Sequence, residues 1–266
     1  MPELAEVAYA CTLWNRGLKK NVLAVELRQS SRVFREINQV ELVESLLKTK
    51  LISSATKGKQ MLFRFSGGNW LGLHLGMTGS LASEKSSYLA HKHDALLIRQ
   101  AKQSLIFRDP RQFGKIRLHQ GKDVPSWWSE LPIGMLDKTF KIKILKDALI
   151  RHKKRPVKAL LLDQRYFLGM GNWMADEVLW RAKIHPGLRC GKISAPKIEV
   201  LFKQILFVAK GAMQSVGKHG GDPPRGWLFH VRWKDGGKCP QTGKDLRREK
   251  IGGRTSCWCP QIQVFN

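Results

Sequence analysis

The hydrophobic pattern of the chain changes from strand-like alternation to helical spacing between residues 120 and 141, and this change constrains the fold more than any other feature. Up to about residue 120, short apolar runs alternate with polar residues around turn-forming segments such as 66–69 (SGGN) and 101–103 (AKQ). This pattern is typical of antiparallel strands. From Lys141 to about Lys218 the apolar residues follow helical spacing instead. The sequence therefore predicts a β domain followed by a helical domain.

The individual segments complete an α+β architecture. A first helix is predicted from Glu6 to Lys19, and the runs at 95–100, 104–109 and 114–119 indicate an antiparallel β-sandwich. Further helices are predicted at 143–151, 156–164, 174–183 and 195–216. A Gly/Pro-rich break at 217–226 follows. Alternation then returns in WLFHVRW (227–233) and continues to Gln263, which predicts strands that end in a β-hairpin.

Composition sets the expected domain boundaries. Residues 120–140 contain Pro and Gly and lack a sustained period, which indicates a linker. We expect a β-sandwich domain at 1–130, a linker at 131–142, a helical domain at 143–226 and a β-hairpin, called the finger below, at 227–266.

Charge indicates the kind of partner. The chain has 47 Lys and Arg against 21 Asp and Glu, a formal net charge of +26, and both halves share the excess. Such a chain is expected to bind a polyanion, either nucleic acid or an anionic membrane surface. A basic structural protein of ribosome or chromatin would have similar charge, so charge alone predicts the partner and not the activity.

The sequence also indicates that the protein is located inside the cell. No apolar run approaches the length of a membrane span, and no basic-then-apolar leader precedes the first helix. The five cysteines are an odd number, which argues against a disulfide framework. We therefore expect an intracellular protein with reduced thiols, in the cytoplasm or nucleoid, or in the nucleus of a eukaryote.

The first residues, MPELAEV, offer two interpretations. Pro2 and the acids Glu3 and Glu6 are ordinary residues for the start of a helix. Alternatively, removal of Met1 would expose the secondary amine of Pro2. Amino termini titrate at about 7.7–8.0, so part of this amine is unprotonated at neutral pH and able to attack an electrophilic carbon. Glu3 could then supply or remove protons at the same centre.

Two later segments are candidates for phosphate binding. The loop LGMG (168–171) leads through Asn172 into a helix, and backbone amides at such a helix start can bind a phosphate. Asn172 as a simple helix cap is the alternative. In the finger, Gly252-Gly253 forms the expected bend with Arg254 at its tip, from which a guanidinium can contact a phosphate.

The finger cysteines do not form a complete metal-binding motif. Cys239-Pro240 and Cys259-Pro260 resemble two zinc knuckles, but Thr242 and Ile262 occupy the positions where a four-cysteine site needs its other thiolates. Cys257 lies only two residues before Cys259, which fits a knuckle poorly. We expect no metal here.

Five motifs, in order, resemble those of the formamidopyrimidine-DNA glycosylase/endonuclease VIII family. They are PELAEV, HLGMTGSL, DPRQFGK, LLLDQRYFLGMGNWMADEVLWRAKIHP and GGRT before a Cys-Pro, and they cover essentially the whole chain. The resemblance implies a β-sandwich with an N-terminal helix, a helix–two-turn–helix domain and a zincless finger. It also implies excision of damaged bases followed by strand cleavage.

The resemblance implies a role for each matching residue. Pro2 corresponds to the nucleophile, Glu3 to the catalytic acid and Glu6 to a second, positional acid. The phosphate-binding residues are Lys59, Asn172 and Arg254. Met77, Arg111 and Phe113 correspond to the residues that fill the gap left by an everted base, and their side chains suit insertion between bases. From the residues alone, a core Met, a surface Arg and a core Phe are the favoured alternatives. Ala5 departs from the family pattern, in which Pro is usual.

Together these features predict a bifunctional DNA glycosylase/AP lyase that acts as a monomer on damaged DNA without a cofactor. A non-catalytic damaged-DNA binding protein on the same scaffold is the alternative. The presence of both Pro2 and Glu3 argues against it, because a binding protein needs no free terminal amine.

Overall fold

The computed structural model describes residues 1–265, which divide into two compact units between Leu131 and Pro132. Among the described residues, no helix is both long and apolar enough to cross a membrane.

The N-terminal unit consists of two antiparallel sheets and three helices. The strands are β1 (Ala24–Leu27), β2 (Leu51–Lys57), β3 (Gln60–Phe65), β4 (Asn69–His74), β5 (Ser80–Lys85), β6 (Asp94–Arg99), β7 (Gln103–Arg108) and β8 (Lys115–Gln120). One sheet has the order β1-β6-β7-β5 and the other β2-β3-β4-β8. The helices are α1 (Leu4–Trp14), α2 (Gln39–Leu46) and the short α3 (Ser126–Ser129). The predicted sandwich and its hairpins are confirmed.

One hydrophobic core joins α1 to the strands of both sheets. Trp14 at the end of α1 is fully buried, and its ring lies 4.8 Å from that of Phe63 on β3. The indole N–H donates to the carbonyl of Ile106 on β7 (3.1 Å), which satisfies the one polar group of this side chain. The start of the chain is thereby fixed against the sandwich.

The first helix begins earlier and ends earlier than predicted. It covers Leu4–Trp14 rather than 6–19, because Glu3 and Glu6 form a capping box that starts the helix at once. After Trp14 the chain tightens into a 3₁₀ turn over Asn15–Gly17. Gly17 packs so closely that a Cβ there would lie 2.7 Å from Leu105, and this close packing accompanies the end of the helix.

The second unit contains four helices and a hairpin. The helices are α4 (Ile142–Arg151), α5 (Val157–Leu161), α6 (Asn172–Ala182) and α7 (Ala195–Ala212), and α7 continues into a π-helical turn at Met213–Gly217. Helix α5 is shorter than predicted. The hairpin consists of β9 (Arg247–Ile251) and β10 (Arg254–Trp258). The predicted helical character and the terminal hairpin are confirmed.

The prediction of a strand at 227–233 is wrong. These residues contain a 3₁₀ turn at Leu228–His230. The amide of Phe229 in this turn donates to the buried carboxyl of Glu177 on α6 (3.3 Å), and the Phe229 ring packs edge-on against Trp173 at 5.2 Å. Trp227 and Phe229 therefore pack against Trp173 of α6 rather than within a sheet, and Trp233 is exposed. Similarly, β10 ends at Trp258 and does not continue to Gln263.

Candidate catalytic and phosphate-binding residues

The first turn of α1 brings together the proposed nucleophile and both acids. Pro2 is half-buried, and Glu3, the N-cap residue, has only 3% of its surface exposed. The Glu3 side chain accepts a hydrogen bond from the Glu6 amide, and the Glu6 carboxylate accepts one from the Glu3 amide (3.2 Å). The helix-start interpretation of these residues is therefore confirmed, and the capping box holds the buried Glu3 carboxyl at the start of α1, next to Pro2 in the sequence.

Lys59 lies at the two-residue turn between β2 and β3. The turn is formed by Gly58, whose φ is +62°, and Lys59 itself. Lys59 lies near His74, at the end of β4. Burial lowers the pKa of His74, and the positive charge of the Lys59 ammonium lowers it further. A neutral His74 accepts a hydrogen bond from the Gly76 amide at Nδ1 (3.0 Å), and this bond shapes the loop that leads to Met77.

The three proposed gap-filling residues lie on two loops that contact each other. Met77 follows β4, whereas Arg111 and Phe113 lie between β7 and β8. The Arg111 guanidinium lies 4.9 Å above the Phe113 ring, and that ring is 49% exposed. An exposed aromatic ring stacked on a planar cation is suited to contact with nucleic acid bases.

Asn172 and the strand of Arg254 are joined directly in the second unit. Gly171 is the N-cap of α6, so the alternative in which Asn172 caps the helix is wrong. The Asn172 side-chain amide instead donates to the carbonyl of Thr255 (2.9 Å), the residue after Arg254. An amide has two N–H donors, so this bond is compatible with a second one to a phosphate.

Arg254 is exposed and is the first residue of β10 rather than the tip of the bend, since it pairs with Ile251 across Gly252-Gly253. Both glycines have positive φ, and a Cβ on Gly252 would lie 2.6 Å from Ala159 on α5. The turn therefore requires glycine and lies directly on helix α5, which fixes the place of Arg254.

A buried ionic network behind these residues was missed by the sequence analysis. Asp176 on α6 binds the ammonium of Lys158 on α5 and the guanidinium of Arg232, and it accepts the backbone amide of Cys257 on β10 (3.1 Å). All three charged side chains are at most 4% exposed. Lys158 also donates to the carbonyl of Asn172 (3.1 Å). The network thus connects α5, α6 and the finger around Asn172.

Glu177, the next residue, is also buried. Burial raises the pKa of its carboxyl to about 7, although Arg181 at 2.7 Å and the Phe229 and Leu228 amides favour the charged form. In the sequence both acids look like ordinary acids near a helix N-terminus. Their burial depends on α5, the 3₁₀ turn and the finger, which are distant in sequence.

The finger cysteines lie in a hydrophobic cluster with Trp180, Leu246 and Ile262. The Trp180 indole donates to the Cys239 sulfur (3.4 Å), and Thr242 contacts the Cys259 sulfur (3.5 Å). Within residues 1–265, no three His, Cys, Asp or Glu side chains converge to hold a metal ion. Packing in this cluster, together with the bonds of Asp176 to Arg232 and Cys257, holds the finger on α6.

Comparison with known proteins agrees with this architecture. The family model of the formamidopyrimidine-DNA glycosylase N-terminal domain matches residues 1–116, and that of the H2TH domain matches residues 132–220. The formamidopyrimidine-DNA glycosylase of Pelotomaculum thermopropionicum is 32% identical over 99% of both chains. That of Arabidopsis thaliana is 30% identical over 99% of this chain and 71% of its own length.

Solved structures extend the comparison. The complex of the Lactococcus lactis enzyme with DNA containing an abasic site has a TM-score of 0.88 and 26% identity, over 99% of this chain and all of that one. The complex of the same Lactococcus lactis enzyme with DNA containing an N7-benzyl-Fapy-dG has a TM-score of 0.87, with the same sequence identity and coverage. The fold and these matches show that the protein is one of the DNA glycosylases of base excision repair. Within it, the chain belongs to the formamidopyrimidine-DNA glycosylase family.

Proposed function

We propose that this protein is a bifunctional DNA glycosylase/AP lyase that removes damaged bases through its N-terminal proline and then cleaves the strand. The observation that carries the proposal is the burial of the Glu3 carboxyl beside Pro2, in a capping box that fixes its position. A carboxyl is rarely buried without a structural or chemical reason. Here it lies next to the one amine of the chain that can titrate near neutral pH once Met1 is removed.

The proposed chemistry needs only these two residues at the reacting carbon. The Pro2 nitrogen attacks C1′ of the damaged nucleotide while Glu3 protonates the ring oxygen of the sugar. The C1′–O bond breaks, the base leaves, and an iminium forms between Pro2 and C1′. The iminium makes the proton on C2′ acidic, so the 3′ phosphate leaves by β-elimination and the 5′ phosphate by δ-elimination. Water then releases Pro2, and no cofactor is required.

The remaining site residues would hold the DNA in the reactive geometry. Chemistry on a base requires its nucleotide to be turned out of the duplex. We assign Lys59, Asn172 and Arg254 to the phosphates of the kinked strand, and Met77, Arg111 and Phe113 to the gap left by the base. Glu6 positions Glu3 through the capping box. The partner is damaged DNA, bound by one protein chain.

An incision assay tests this function. Duplexes carrying 8-oxoguanine, a formamidopyrimidine, a hydantoin or an oxidised pyrimidine would be incubated with protein from which Met1 has been removed. We expect at least one duplex to be cleaved to a product with phosphate at both ends of the gap, the result of successive β- and δ-elimination. Tight binding of abasic DNA without cleavage of any duplex would instead support a non-catalytic damaged-DNA binding protein.

A further inference from the structure

We propose that Asp109 is the positioning residue for the gap-filling side chains, because its carboxylate fastens the loop of Met77 to the loop of Arg111 and Phe113. This inference rests on the gap-filling role assigned above. Asp109 follows β7 directly and is 2% exposed. Its Oδ1 accepts the hydroxyl of Thr78 (2.9 Å), and its Oδ2 accepts the amide of Gly114 (2.6 Å). One carboxylate thus binds the residue after Met77 and the residue after Phe113.

The two loops also touch through their backbones. Gly76, just before Met77, has a φ of +63°. A Cβ at this position would lie 2.5 Å from the carbonyl carbon of Phe113 and 2.6 Å from the amide nitrogen of Gly114. Such close contact leaves no space for a side chain. With the Asp109 bonds on either side of this contact, a shift of one loop must move the other.

The second loop is held in a conformation that it would not adopt alone. Gln112, between Arg111 and Phe113, has a φ of +56°, which is unfavourable for a residue with a side chain. Its Oε1 accepts the amide of Arg32 (2.8 Å) and its own amide donates to the carbonyl of Asp109 (3.3 Å). Strain of this kind persists only where the surroundings impose it, and it is found mainly at functional sites.

The outcome of these contacts is a preformed wedge. The Arg111 guanidinium and the Phe113 ring are stacked before DNA arrives, and Met77 is linked to them through Thr78 and Asp109. Three side chains that enter a base stack together must otherwise be ordered during binding, which costs affinity and rate. Asp109 therefore acts through the wedge and does not touch the reacting atoms.

Thr78 provides the sharpest test, because Asp109 is buried and its variants can fail to fold. Thr78 is exposed, and Thr78→Val removes the hydroxyl donor at nearly constant shape. Thr78→Ser keeps the donor and is the matched control. We expect Thr78→Val to lower kcat for base excision from duplex DNA about tenfold, the size expected for loss of one hydrogen bond to a charged group. Thr78→Ser should stay close to wild type.

Fluorescence separates wedge insertion from chemistry. A 2-aminopurine placed opposite a stable abasic analogue reports insertion of the wedge without any bond breaking. We expect slower or smaller changes with Thr78→Val than with Thr78→Ser, and equal cleavage by both of a preformed abasic site in single-stranded DNA, which needs no wedge. Identical fluorescence and excision for both variants would overturn the role of Asp109. Because the fluorescence arm needs no catalysis, it gives this answer even if the lyase activity proposed above were absent.

Discussion

Glu3→Gln is expected to abolish most base excision while leaving the protein folded. A glutamine oxygen can still accept the Glu6 amide in the capping box, but the side chain can no longer donate a proton to the sugar oxygen. General acid catalysis contributes about 10²–10⁴-fold to such reactions, so we expect a fall of that size in single-turnover excision from a lesion duplex. Cleavage of a preformed abasic site should decrease much less, since its sugar already opens to an aldehyde without the protein.

The matched control is Glu84→Gln, which changes an exposed glutamate on β5 of the same unit. We expect its excision rate to equal that of wild type. Equal and large losses of excision and of abasic-site cleavage in Glu3→Gln would mean that Glu3 serves the fold or DNA binding and is not the acid.

The second large effect is expected from Asp176→Ala in the finger-bearing unit. The change leaves Lys158 and Arg232 buried without their shared carboxylate, and removal of one partner from a buried ion pair costs about 3–5 kcal/mol. It also removes the acceptor of the Cys257 amide, which connects β10 to α6. We expect the free energy of unfolding, measured by urea titration with tryptophan fluorescence, to fall by about this amount. DNA affinity should fall as well.

Asp147→Ala is the control for this substitution. Asp147 forms an exposed ion pair with Lys143 at 3.0 Å on α4, and such pairs contribute less than about 1 kcal/mol. If the two variants were equally stable, the Asp176 network would not hold the second unit together.

Local sequence patterns predicted the elements of this fold well where short-range interactions decide the structure. The helix at the N-terminus, the hairpins of the sandwich and the Gly252-Gly253 turn all depend on residues close in sequence. Even here the boundaries shifted, as when the Glu3–Glu6 capping box started α1 early. The prediction of a strand at 227–233 failed because Trp227 and Phe229 pack on Trp173 of α6 and their segment forms a 3₁₀ turn instead of pairing in a sheet.

Some residues of the candidate site could likewise be predicted from the sequence, and others could not. Pro2 and Glu3 could be proposed from amine and carboxyl chemistry, and Asn172 and Arg254 from their places at a helix start and a glycine turn. The other site residues followed from resemblance to a family. Asp109 and Asp176 could not be found by either means, because their significance lies in contacts with residues distant in sequence. The bond from Asp109 to Thr78 spans 31 positions, and that from Asp176 to Arg232 spans 56. Such contacts appear only once the chain is folded.

Reductive trapping detects the iminium that we propose forms on Pro2. Protein without Met1 would be mixed with DNA containing an abasic site and treated with borohydride, which converts an iminium into a stable covalent bond. A variant with one leucine inserted between Met1 and Pro2 is the control, because it turns the Pro2 nitrogen into an amide. We predict a protein–DNA adduct for the first protein, located on Pro2 by peptide mapping, and none for the second. An adduct on a lysine such as Lys59, or no adduct at all, would contradict the assignment of Pro2 as the nucleophile.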